Sequence, residues 1–125
     1  MLLDAEAVNV YLASNFGAAK AAGAPASHKL HLFASDGTQL TTGYTAPTVT
    51  NDGTSWPAPS AGLLTGAAVT ITYTAALSQP ASTWALLGSD GFWYGGGRLP
   101  LGPWAGGSGE SDTFQPTLSL ALGAF

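Results

Sequence analysis

Hydrophobic positions in the first sixteen residues recur at helical spacing, and from residue 30 onward they alternate with polar or small ones. Ala5, Val8, Leu12 and Phe16 fall on one side of a helix. Glu6 sits in its first turn, where the helix dipole favours an acid, and Asp4 occupies the N-cap position. Gly17 supplies a C-terminal stop, so the spacing predicts a helix from about residue 4 to 16. Its Leu12 and Phe16 must be buried by docking, either on the rest of the chain or on a neighbouring subunit. Ala18–Ser27, rich in Ala and carrying Gly23 and Pro25, reads as a connector.

After the connector the period changes to two. Leu30, Leu32 and Ala34 alternate with His31 and Phe33; Val69, Ile71 and Tyr73 alternate with Ala68, Thr70, Thr72 and Thr74; Phe114, Leu118, Leu120 and Leu122 alternate with Gln115, Thr117, Ser119 and Ala121. These are half-buried strands. Asp36-Gly37, Asp52-Gly53 and Asp90-Gly91 lie between or beside such runs and read as turns, because Asp bonds its own backbone and Gly tolerates positive φ. The stretch from Gly95 to Gly109, with two glycine clusters, is expected to form exposed loops. Short strands joined by Gly, Pro and Asp turns after a single helix predict a mainly β chain, an antiparallel β-sandwich of jelly-roll-like type. Its head is residues 1–27 and its body residues 28–125.

Composition changes the picture from fold to role. Only 8% of the 125 residues are charged, against about 25% in an ordinary soluble domain. Between Asp36 and Asp90 the only charged residue is Asp52. Much of the surface must therefore be neutral, and neutral surfaces associate. Three cations, Lys20, Lys29 and Arg98, are too few to track phosphates, which excludes nucleic acid and disfavours an anionic membrane. The chain has no cysteine, hence no disulfide framework. Met1-Leu2-Leu3-Asp4-Ala5-Glu6 lacks the basic start of a signal peptide, so synthesis in a cytoplasm is expected.

Catalytic patterns fail on inventory. His28 and His31 would point to opposite faces of a strand and read as surface histidines rather than metal ligands. Gly88-Ser89-Asp90-Gly91 lacks the spacing of a nucleophile elbow, and Gly95-Gly96-Gly97 opens no helix that could cradle phosphate. Glu110 and Asp112 read as solvated loop acids, and the three Asp-Gly turns are too scattered for calcium. No catalytic residue, metal or cofactor is expected. The aromatics remain. Trp84 opens an apolar run and reads as core, whereas Phe92, Trp93 and Tyr94 in succession cannot all point inward. Trp104, between Pro103 and Gly106, reads as an exposed anchor. The interface candidates are Leu12, Phe16, Trp56, Trp93, Tyr94 and Trp104, with a weak glycan contact at Trp104 as the sharper alternative.

The order of these pieces resembles a family of small bacteriophage virion proteins described as minor capsid, head decoration or tail-fibre-like. The likeness runs through the short helix, Leu30-His31-Leu32-Phe33-Ala34, Gly43-Tyr44, Trp56-Pro57-Ala58, Ala67 to Tyr73, Leu86 to Gly91, and Asp112-Thr113-Phe114 with Leu118-Ser119-Leu120. Each motif alone is ordinary β chemistry; their succession carries the resemblance. The chain departs from the pattern in its shorter run between Trp84 and Asp90, in having no Arg after Gly43-Tyr44, and in its longer Gly-rich loop before Glu110. The resemblance implies a non-enzymatic virion component, made in the bacterial host cytoplasm. It would assemble with itself, a trimer being one symmetry, and with major capsid or tail proteins. Capsid decoration ranks ahead of a tail role, because nothing in the sequence provides a shaft. A carbohydrate-binding module is the alternative from another class.

Overall fold

The computed structural model describes residues 5–18 and 20–119. It is mainly β and antiparallel, with one short helix, as the periodicity predicts. Helix α1 (Ala5–Asn15) is followed by β1 (Ser27–Ala34), β2 (Thr48–Thr50), β3 (Leu63–Thr65), β4 (Val69–Thr72) and the long β5 (Ala76–Gly88). Then come β6 (Trp93–Arg98), β7 (Trp104–Gly106), β8 (Ser111–Phe114) and β9 (Thr117–Ser119). The main sheet has the order β2-β1-β5-β6, with β7 pairing to the first half of β5; β3 pairs with β9 and β4 with β8 in two short ladders.

The alternation in β1 fixes which side of the main sheet is the core. His28, Leu30, Leu32 and Ala34 are buried on one face, while Lys29, His31 and Phe33 look the other way. Trp84 and Leu86 of β5 continue the inner face, and the two ladders cover it with Ile71 and Phe114, Leu64 and Leu118. Trp84 and Trp104 both meet Phe114, at ring-centroid distances of 5.8 and 5.4 Å. Sheet and ladders therefore share one core. Val8, Leu12 and Phe16 of the helix and its end enter the same cluster, so the head docks on its own body. Asp4, expected as N-cap, and Leu120 and Leu122, expected in the last strand, lie outside the described residues.

Two expectations need correction. Gly95–Gly109 is not a run of loops, because β6 and β7 lie within it. Inside the sheet the glycines of β6 make room for neighbours. A Cβ on Gly95 would come 3.1 Å from Leu118, one on Gly97 would come 3.3 Å from the Trp84 indole nitrogen, and one on Gly96 would come 2.1 Å from the Trp84 carbonyl oxygen. The closing strand is split into β8 and β9 at Gln115-Pro116, since Pro has no N–H for a ladder. The turns behave as expected: Asp36 Oδ1 accepts from Thr38 N, Asp52 Oδ1 from Thr54 N and Ser55 N, and Asp90 Oδ1 from Phe92 N.

Candidate functional site

Five of the six interface candidates turn inward. Phe16 is 1% exposed and packs on the rings of His28, Trp56 and Tyr94 at 5.1, 5.3 and 6.4 Å. Leu12 is buried beside it. Trp56 is buried as deeply, its Nε1–H donating to Asn51 Oδ1 at 3.1 Å. Trp104, expected as an exposed anchor, is buried with its Nε1–H on the carbonyl of Pro100 at 2.9 Å. An indole that finds an acceptor can bury its whole ring, which is why Pro103 and Gly106 misdirect the reading of Trp104 as an exposed anchor. Tyr94 is half-buried against Phe16 and His28, and its hydroxyl donates to Asp90. Trp93 alone stays at the surface, 48% exposed.

His28 is a core residue, not a surface one. It lies in phase with Leu30 and Leu32, and that phase was the available signal. Asn51 Oδ1 accepts from both Trp56 Nε1–H and His28 Nδ1–H, the latter at 2.9 Å, while Asn51 Nδ2 donates to the Pro25 carbonyl. The shared acceptor sets the tautomer and leaves the His28 Nε2 lone pair buried without a partner. Burial lowers the affinity of His28 for a proton, against weaker opposing effects of Asn51 and Asp90. No hydroxyl bonds this ring, so the network locks the head to the body and offers no nucleophile. Asp112 is likewise engaged: Tyr73 Oη–H donates to it at 2.7 Å, and burial together with that carboxylate pushes the Tyr73 hydroxyl far above its usual range. Among the described residues no three His, Asp or Glu side chains converge as metal ligands would.

The candidate functional surface is the outer face of the main sheet, which no second layer covers among the described residues. Register across β1, β5 and β6 arranges it in rows: Lys29, Leu87 and Trp93; then His31, Ala85 and Gly96; then Phe33, Thr83 and Arg98. Small Ala85 and Gly96 in the middle row leave Trp93 room to reach across the sheet. Its ring meets His31 at 5.7 Å and Phe33 at 5.5 Å, both at steep angles. His31 is half-buried beneath this cluster with Gln39 Nε2 at 3.3 Å from its Nδ1, and burial together with nearby Lys29 lowers its proton affinity. At the Arg98 end the face opens into a cleft of about 390 Å³, lined by Ser35, Ser82, Thr83 and Arg98 and walled by the loop from Leu99 to Pro103. Leu101 on that loop has φ 52° and a fully exposed side chain. Phe92, 68% exposed, extends the apolar surface past the turn before Trp93.

No protein-family model, curated protein or solved structure matches the chain. The geometry of this face therefore carries the functional argument.

Proposed function

We propose that the chain is a non-enzymatic structural component of a bacteriophage virion, a capsid decoration or minor capsid protein held on the shell by contacts with its own copies and with the major capsid protein. One observation carries the reading: a domain with only 8% charged residues leaves Trp93, Phe92 and Leu101 exposed. Val10, Tyr11 and Leu63 are exposed elsewhere. Such surfaces are stable in solution chiefly when neighbours cover them. The succession of motifs that resembles small virion proteins supports the particular assembly. A tail-associated position is second within the same class, since an 11-residue helix provides no coiled coil to project a tip.

Quantitative mass spectrometry of purified particles tests this directly. A shell-decorating role requires a copy number comparable to that of the major shell protein. A small fraction of that number would move the protein to the tail, and absence from particles would refute both positions.

A further inference from the structure

Between Ala81 and Trp84 β5 slips out of alternation, and this slip lies at the cleft. Ala81 and Trp84 are both buried although three residues apart, while Ser82 and Thr83 between them are both half-exposed. Phe33 of β1 pairs with Thr83 and the next residue, Ala34, with Ala81, so Ser82 is the extra residue of a β-bulge. Two successive hydroxyl side chains thus line the same cleft, joined by Ser35 from the end of β1.

From this juxtaposition of hydroxyls, a guanidinium unpaired among the described residues and half-exposed aromatic rings, we propose that the cleft and the adjoining aromatic face bind an acidic saccharide, a short oligosaccharide bearing a carboxylate.

The volume of about 390 Å³ falls in the range of small-molecule sites. Arg98 forms no ion pair or hydrogen bond with the described residues, and its planar fork fits a carboxylate through two parallel hydrogen bonds. Asp36, the acid nearest the cleft in sequence, is occupied within its own turn by Thr38 N. Ser35, Ser82 and Thr83 offer the mixed donors and acceptors that sugar hydroxyls need.

The rings extend the site. Phe33 stands in the same row as Thr83 and Arg98, and Trp93 touches Phe33 one diagonal further on. From Thr83, opposite Arg98, to Leu87, opposite Trp93, is four residues of strand, about 13 Å at roughly 3.3 Å each. Along that stretch the apolar C–H faces of a sugar lie against Phe33 and Trp93, with its carboxylate at Arg98. Two cations on the face, Lys29 and Arg98, do not make a phosphate track, so a nucleic acid does not compete for the assignment. The inference goes beyond a structural role and is tested without particles.

The experiment is titration of the full chain with sialyllactose and with an oligogalacturonate, using lactose as the neutral control, followed by calorimetry and tryptophan fluorescence. Because Trp56, Trp84 and Trp104 are buried, a ligand-induced fluorescence change reports on Trp93. At least one acidic sugar is expected to bind about tenfold or more tightly than lactose, the factor that one charge-assisted carboxylate contact supplies. Arg98→Gln should erase that preference, and Trp93→Ala should weaken both sugars and abolish the fluorescence change. Arg98→Lys, which keeps the charge and loses the fork, should be intermediate. Both Arg98 variants should melt as the parent does, since the side chain is exposed and makes no ion pair with the described residues. The proposal is overturned by absence of binding in the millimolar range, by equal affinity for lactose and both acidic sugars, or by binding that Arg98→Gln leaves unchanged.

Discussion

Removing the ring of Phe16 should nearly dissolve the union of head and body. The side chain is 1% exposed and touches three aromatic rings contributed by β1, β6 and the segment after β2. Truncating a buried Phe to Ala costs about 3–5 kcal/mol through lost burial and the cavity left behind. Ring pairs within about 7 Å add roughly 0.5–1.5 kcal/mol each beyond area, although pairs sharing one ring do not add fully. The upper end, about 4–5 kcal/mol, is therefore expected for Phe16→Ala. A chain of this length loses about 3–4 °C per kcal/mol, so the melting temperature should fall by roughly 12–20 °C. Phe16→Leu, which keeps most of the volume, should cost only about 1–1.5 kcal/mol.

The assay is thermal and urea unfolding followed by circular dichroism at several protein concentrations. Docking within one chain makes the loss independent of concentration, whereas docking on a neighbour would make the parent's melting temperature rise with it. A drop of less than about 4 °C for Phe16→Ala, or a concentration-dependent parent, would refute the packing argument.

Two further outcomes follow from the interior. Burial holds the affinity of His28 for protons below its ordinary value of 6.5, and His31 shifts the same way. The unfolded chain then takes up these protons first, so stability is level above about pH 6.5 and declines as pH falls below it. Asp36, Asp52 and Asp90 have carboxyls held below their ordinary 3.8 by backbone N–H groups and the Tyr94 hydroxyl, so their contribution is lost only at lower pH. Unfolding midpoints between pH 7 and pH 5 should fall for the parent and fall less steeply for His28→Phe, in which His31 remains; equal slopes would refute the assignment. In β6, Gly96→Ala forces a Cβ within 2.1 Å of a backbone oxygen on the adjacent strand and should cost about 3 kcal/mol or more. Gly91→Ala meets open space and bears only the penalty of φ +87°, about 1–2 kcal/mol, so urea midpoints that rank the two variants in the opposite order would count against the register.

The elements that could be read from the chain are those whose side chains report the period. Val8, Leu12 and Phe16 mark the helix, and Leu30, Leu32 and Ala34 mark β1, because each buries one face and leaves the other in solvent. β6 was illegible for the opposite reason. Trp84 and Leu118 fill the space where its inner side chains would stand, so the strand is written in glycine, a residue disfavoured in strands and associated with loops. Its pairing is imposed by tertiary packing.

Two phase effects separate this arrangement from the one the sequence suggests. His28 shares the parity of Leu30 and Leu32, so alternation alone places it in the core; its polarity argued for the surface because Asn51, which satisfies it, is 23 residues away. Conversely, Ser82 and Thr83 look like any polar pair inside a long strand. Only the distance of three between buried Ala81 and Trp84 hints that one residue is extra. Once β1 sets the register, that extra residue turns both hydroxyls to the outer face beside Arg98 and Phe33. The aromatic that matters there is Trp93, which a strand of glycines leaves uncovered, while Trp56 and Trp104 are drawn inside by the acceptors Asn51 and Pro100 supply. Both acceptors lie only four or five residues before their indoles, but the fold decides that they face them, and composition alone cannot rank the rings.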